Sequence, residues 1–414
     1  MRSIVFLASI VFASLATVGT AAAASPAPSV IANQWAEDLA VLDAGVRTWH
    51  PGPFTINPEA TWNAKLAELR QTLPTASPDE QIVQLAGLVG LLDTHSWFTF
   101  PANEYEMMAY PFADGWFVVV AKDPSLVGSR LVSINGTPIT EVEAAMRPLI
   151  PADNESGELD GLQYPVSSVE YLHGLGIVDD PAKPGYLFQR PDGTQVTVDL
   201  GAAPLGEWEQ ELGIIGDLMG AAPEAVARRT EPIWTRADPA TRTFLFSYND
   251  YVAVGRMEAI AAMETALDDG SADHVVFDMR YLRGGNGGLA FPVIDALAGD
   301  ARISGPGGLT VLIGRENVSA GTLVAAELDK RTQATFVGEM TPARADNFLC
   351  DCHDIALPNS GFTVTVPTYW ADTGDTQDAI RPDIPMSLSA ADFFAGRDPV
   401  LDAVLGGNLP SIAP

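Results

Sequence analysis

Three segments of this 414-residue chain carry residue types that can do chemistry. The first is Asp278-Met-Arg280-Tyr-Leu-Arg-Gly284-Gly285, with Asn286-Gly-Gly288 behind it, at the end of the apolar run that starts at His274. Paired glycines at a strand end permit positive φ and leave backbone N–H groups unshielded, which is how an oxyanion or another anion is cradled. The spacing is not Gly-x-Gly-x-x-Gly and no Lys-Ser/Thr follows, so neither a dinucleotide fingerprint nor a P-loop is implied. The second segment is Ser319-Ala-Gly-Thr322, between the apolar run Gly308–Ile313 and a stretch rich in Ala and Leu. A serine in the first turn of a helix lies near free N–H groups, which suits a nucleophile whose intermediate is anionic. The same residue is also a good N-cap, and its neighbours leave both roles open. The third is Cys350-x-Cys352-His353. A structural metal site needs about four good ligands, and this one offers three, so a local disulfide or two thiols stand beside the metal reading.

Elements must hold these segments in place. Apolar residues at Trp35, Leu39, Leu42 and Val46 have helical spacing, and Pro51 and Pro53 end that helix after His50. Further helices are expected through Trp62, Leu66 and Leu69, and through Ile82, Leu85, Leu88 and Leu91. From Tyr110 to Leu200 the period shortens towards two, with strands at Trp116–Val120 and Arg130–Ile134 and a turn at Asn135-Gly136. The stretch Gly128–Ile139, with helical Val142–Met146 behind it, looks like the centre of a PDZ-like module, a type that takes up extended chain ends. A β module that only packs on its neighbours is the alternative. Beyond a Pro- and Gly-containing stretch around 203–218, strands at Thr243–Ser247, His274–Met279, Thr310–Ile313 and Thr335–Val337 alternate with helices at Val254–Leu267, Gly288–Leu297 and Ala320–Leu328. Such alternation predicts a layered α/β fold with its site at the carboxyl edge of the strands. The expected division is 1–24 signal peptide, 25–105 helical module, 106–202 PDZ-like β module and 203–414 α/β core.

Composition excludes several classes. The formal charge is −30, which repels phosphate backbones and argues against nucleic-acid binding. Arg2, the apolar stretch Ile4–Val18 and Ala22-Ala-Ala24 form a secretory signal, so a secreted or periplasmic protein with no stable membrane insertion after cleavage is expected.

Taken together, the motifs resemble those of the tail-specific, or C-terminal processing, serine peptidases, which include the tricorn core and retinoid-binding relatives. The family motif Asp-Leu-Arg-x-Asn-x-Gly-Gly is matched by Asp278–Gly285 except that Leu282 replaces asparagine. Gly338–Thr341, Leu357–Gly361, Pro382–Ile384 and Asp398–Leu401 follow in the family's order, and His50-Pro51 and Asp93–Ser96 extend the likeness more loosely. The resemblance implies a crotonase-like layered α/β core, a Ser319 nucleophile, backbone donors at Gly284 and Ala320, a polypeptide substrate and no cofactor; it implies nothing about assembly state. In the Ser-Lys branch the base falls where this chain has Arg344, and arginine stays protonated. The tricorn-like Ser-His branch instead points to His95, since histidine titrates near neutrality and can shuttle the serine proton. By the same likeness the orienting acid is Asp375 or Asp378. His50 is a candidate for the same cleft, while His173, His274 and His353 are read as structural or exposed. A non-catalytic relative that binds peptide or an apolar ligand, and a small-ester or amide hydrolase, are the competing expectations.

Overall fold

The computed structural model describes residues 28–207 and 222–409; the expected signal segment and part of the stretch around 203–218 lie outside the described residues. It is a mixed α/β protein of several sheets and helices. Helix Pro28–Trp49 stops before His50-Pro51, as its prolines require, and Glu59–Thr72 and Pro78–Val89 follow. The third helix opens on a capping box, in which Ser77 accepts from the Glu80 N–H while the Glu80 carboxylate accepts from the Ser77 N–H. Their apolar faces do not close on each other alone. Ile355, Leu357, Val364 and Val366, from a hairpin more than 250 residues on, complete that core. Asp38, fully buried, fixes the hairpin turn by accepting from the Asn359 and Ser360 N–H groups at 2.9 and 2.8 Å. The Leu357–Gly361 motif is therefore a docking turn for the first helix.

The β module is an antiparallel array of strands Met107–Phe112, Gly115–Ala121, Arg130–Ile134, Tyr186–Gln189 and Gln195–Val198 around its own core. Asn135 and Gly136 both have positive φ, 47° and 80°, and join Ile134 to Thr137 across a two-residue hairpin turn.

The main sheet runs Ile233–Asp238, Thr243–Tyr248, His274–Asp278, Leu309–Ile313, Thr335–Gly338, Ile384–Pro385 in spatial as in sequence order. Only the first pair is antiparallel. Alternate side chains serve opposite faces, as a sheet covered on both sides demands. Val275, Phe277, Val311 and Ile313 pack under helices Arg256–Asp268, Phe291–Gly299 and Ala320–Arg331. Val276 and Leu312 face helix Pro399–Leu405 through Val400 and Leu401. The sequence missed both edge strands, which are short or half-polar, while the four inner ones are largely apolar runs. Among the described residues no helix is long and apolar enough to cross a membrane. Cys350 and Cys352 are joined in a disulfide, and no group of three or more metal-ligating side chains occurs among the described residues.

Candidate active site

The carboxyl edge of the parallel strands carries the loops singled out above. Strand Leu309–Ile313 runs through Gly314–Val318 into Ser319, which has φ 57° and ψ −122°. A non-glycine residue in that region costs on the order of 1–3 kcal/mol and persists only where its surroundings over-determine it. Asn317 supplies that restraint. Fully buried, it donates through Nδ2 to the Met279 and Leu282 carbonyls at 2.5 and 3.0 Å and accepts from the Gly314 N–H at 2.8 Å. Its own carbonyl accepts from the Thr322 hydroxyl. The Ser319 hydroxyl makes no capping hydrogen bond to helix Ala320–Arg331, so the N-cap role left open by the sequence is not the one adopted.

Loop Leu282–Gly288 is pressed against this turn, and its glycines allow the approach. A methyl group at Gly284 would lie 3.0 Å from Ser319 Cβ and 3.4 Å from its Oγ, and one at Gly287 would lie 3.2 Å from Ala320 Cβ. One at Gly321 would lie 2.2 Å from the Leu282 carbonyl oxygen. Gly284, Ala320 and Ser319 are thus brought together. Leu282, where the resembled motif has asparagine, is buried in the apolar layer beneath the helices. Arg280 is clamped between Asp278 and Asp398, with Nη2 at 2.6 and 2.7 Å from their carboxylates, and Asp398 also accepts from the Leu401 N–H at 3.0 Å. Three of the spaced motif residues therefore form one buried ion cluster, which fixes the loop after His274–Asp278 to the C-terminal helix.

His95 lies on the turn Asp93–Ser96, buried, and neither ring nitrogen has a hydrogen-bond partner among the described residues. Burial holds its imidazole below the ordinary histidine value, with the charge of Asp93 working against that shift and His50 adding to it. Asp93 is the carboxylate at hand. Its Oδ1 accepts from the His95 backbone N–H at 2.8 Å and lies 3.9 Å from His95 Nδ1. Its Oδ2 meets His50 Nε2 at 2.5 Å and accepts from the Ser96 hydroxyl at 3.1 Å. The Gly52 N–H donates to His50 Nδ1 at 3.0 Å, so that nitrogen is an acceptor and the proton resides on Nε2, pointing at Asp93. Burial by itself would raise the Asp93 carboxyl, but the His50 hydrogen bond and the remaining contacts hold it below its ordinary value.

The His95 turn is moored to the sheet edge that carries Ser319. Glu339 N–H donates to the Ile313 carbonyl, so the segment after Thr335–Gly338 starts beside Gly314. The Thr94 hydroxyl donates to the Pro342 carbonyl at 3.1 Å, and buried Asp153 accepts from the Thr94 and Arg344 N–H groups at 3.1 and 2.9 Å. Burial first, and the charge of Asp93 second, push the Asp153 carboxyl up to about 7. Arg344 thus serves Asp153 through its backbone.

The two acids expected to orient His95 are engaged elsewhere. Asp378 pairs with Arg381 at 2.7 Å and Asp375 accepts from Gln377 N–H at 3.0 Å; neither is bonded to His95. Nothing in the spacing of Asp93 could reveal the pairing with His50, 43 residues away, beyond the presence of His50-Pro51 and Asp93–Ser96 in one module. Of the other histidines, His173 pairs with Asp79, His274 meets the Gly307 carbonyl and Thr310, and His353 stacks on Trp49.

Comparison with known proteins bears on the fold. Mature CPAF complexed with lactacystin aligns with 91% of this chain and 100% of its own at 15% identity, with a TM-score of 0.63. Mature CPAF alone aligns with 93% of this chain and 99% of its own at 15% identity and a TM-score of 0.61. The photosystem II D1 C-terminal processing protease aligns with 85% of this chain and 92% of its own at 14% identity, with a lower TM-score of 0.38. No family model and no curated protein matches the chain. The fold is a tail-specific-peptidase-like one, similar to that of mature CPAF. Fold carries no chemistry by itself, which rests on the site.

Proposed function

We propose that this protein is a serine peptidase working outside the cytoplasm, with a crotonase-like core and a PDZ-like module that delivers polypeptide. The observation that carries the reading is a buried histidine whose two ring nitrogens have no partner among the described residues, on a turn moored to the sheet edge where a serine is held at positive φ against glycine. Ser319 Oγ attacks the peptide carbonyl while His95, neutral at physiological pH, takes its proton and returns it to the leaving amine. The N–H groups of Gly284 and Ala320 are the proposed oxyanion donors, each worth about 2.7–4 kcal/mol in the transition state. Asp93, held by His50, takes the part of the orienting carboxylate in place of Asp375 and Asp378. Water then attacks the acyl-enzyme by the same proton path. Neither metal nor organic cofactor enters any of these steps.

The test is intact-mass analysis of the mature protein after exposure to a fluorophosphonate, beside Ser319→Ala and His95→Ala. One adduct on the wild type, lost in both variants, is expected. An unlabelled wild type that also leaves unfolded polypeptide uncut would overturn the reading in favour of a binding protein.

A further inference from the structure

The hairpin that completes the first helical core is interrupted midway, and the chain's two cysteines sit at the interruption. Strand Asn347–Leu349 pairs with Tyr369–Ala371, and His353–Ala356 pairs with Thr363–Val366, so the two ladders are arms of one hairpin. Between the pairs Leu349–Tyr369 and His353–Val366, Cys350-Asp351-Cys352 faces Pro367-Thr368. One side thus carries an extra residue and the other a proline with no N–H to give, which is a bulge. The Cys350–Cys352 disulfide closes that bulge, and the Thr368 hydroxyl donates to the Asp351 carbonyl across it.

The two arms grip consecutive residues at the end of the first helix. His353 stacks on Trp49 with ring centroids 3.8 Å apart, and buried Phe348 meets His50 edge-on at 4.8 Å. Trp370 backs Phe348 at 4.6 Å, and a methyl group at Gly52 would lie 3.3 Å from either ring. The bulge therefore sets where Phe348 stands against the histidine that holds Asp93. A disulfide with a single residue between its cysteines restrains an unfolded chain less than one that closes a long loop, so a global staple explains this one poorly. Cys350 is exposed and Cys352 half-buried, which puts the bond within reach of a thiolate.

We propose that Cys350–Cys352 is a thiol–disulfide exchange site opened by a dithiol, and that its opening loosens Phe348 on His50 and with it the Asp93–His95 turn. One thiolate of the dithiol attacks Cys350 Sγ, forming a mixed disulfide and expelling the Cys352 thiolate. The second thiolate of the dithiol then displaces Cys350. The protein takes up two electrons and two protons as two thiols, and the dithiol leaves oxidised to a disulfide. Asp351 and Asp354 flank the bond in a chain of charge −30, which favours an uncharged dithiol over an anionic thiol. The exchange stands on its own, while its effect on catalysis rests on the proposed function.

The experiment exposes the folded, oxidised protein to dithiothreitol and reads alkylation by iodoacetamide and amide hydrogen exchange, both by mass. Both cysteines are expected to be alkylated without denaturant. Exchange is expected to quicken at least tenfold in the peptides carrying the Gly52 and His95 amides, which donate to His50 Nδ1 and Asp93 Oδ1, while strand His274–Asp278 keeps its rate. Reoxidation of an unalkylated sample should restore the slow exchange, and joint Cys350→Ser and Cys352→Ser substitution should give the fast exchange without dithiol. Cysteines that resist alkylation, unchanged exchange at both amides, or equal quickening in His274–Asp278 overturns the inference. The oxidised and reduced wild type need no variant, so a misfolded double variant leaves the test intact. Labelling by fluorophosphonate should slow at least tenfold on reduction, and equal labelling of the two forms overturns the link to catalysis. An oxidised protein that takes no label counts against the proposed function alone, because alkylation and exchange do not depend on Ser319.

Discussion

Replacing Asp93 by asparagine separates positioning from mere packing. The carboxylate accepts three hydrogen bonds, from His50 Nε2, the His95 N–H and the Ser96 hydroxyl, at 2.5, 2.8 and 3.1 Å. An amide has one acceptor oxygen, so its NH₂ must face either the His95 N–H or the His50 and Ser96 donors. His50 cannot reverse its tautomer without facing the Gly52 N–H with a second N–H. A donor is therefore left against a donor at a buried site, and the expected loss is about 1–3 kcal/mol of stability. Activity should fall about 10²-fold at saturating substrate, because a base displaced by an ångström forfeits that much. The charge of Asp93 raises the His95 pKa, so its removal lets that pKa fall further and moves the acid limb of kcat/KM to lower pH. Urea unfolding and a pH–rate profile of the same variant provide both readouts. A variant with unchanged acid limb and kcat would refute the positioning argument, and a stability loss under 1 kcal/mol would refute the hydrogen-bond reasoning.

The other expectations follow from the same contacts. Arg280→Met leaves the Asp278 and Asp398 carboxylates uncompensated and is expected to cost about 3–5 kcal/mol in denaturant unfolding. Gly321→Ala drives a methyl group onto the Leu282 carbonyl and should destabilise by about 1–3 kcal/mol or more, whereas Gly284→Ala should cost about 1 kcal/mol or less yet reduce acylation by fluorophosphonate. Asp153 holds its proton up to about pH 7 when folded and to about 4 when unfolded, so the folded chain binds the extra proton in between. Stability from this group is present below about pH 4 and lost as pH rises to about 7; urea midpoints across that range should decline less in Asp153→Asn than in the wild type.

The inner elements of the fold were legible because their signals are local. A four- or five-residue apolar run between glycine and acidic turns, such as His274–Asp278 or Leu309–Ile313, has few ways to be anything but a buried strand. The Ser319 turn and its glycines were legible for a similar reason, since paired glycines after such a strand mark a close approach. What escaped is what depends on distant partners. No periodicity tells Leu357–Val366 that it completes a helical core at Trp35–Leu92, and while Asp93 stands two residues from His95 in the sequence, the contact with His50 that holds it there is 43 residues away. Ile384-Pro385 is too short to carry a strand signal, and it pairs only because Thr335–Gly338 offers a free edge.

The hairpin that finishes the first helical core sets an order of events during synthesis. Emerging from the ribosome or translocon, helices Pro28–Trp49, Glu59–Thr72 and Pro78–Val89 expose an apolar face whose cover, Ile355–Val366, has yet to be made. That face must wait for hundreds of residues of further chain, an interval in which it is a target for chaperones and for wrong pairings. The wait also has a protective side. His95 is moored through Thr94 and Asp153 to residues 342–344, so in a nascent or truncated chain the Ser319–His95 proton path proposed above is not assembled. On the proposed function, a chain made in part is inert towards its neighbours, and hydrolytic reactivity arrives only with the last third of the sequence.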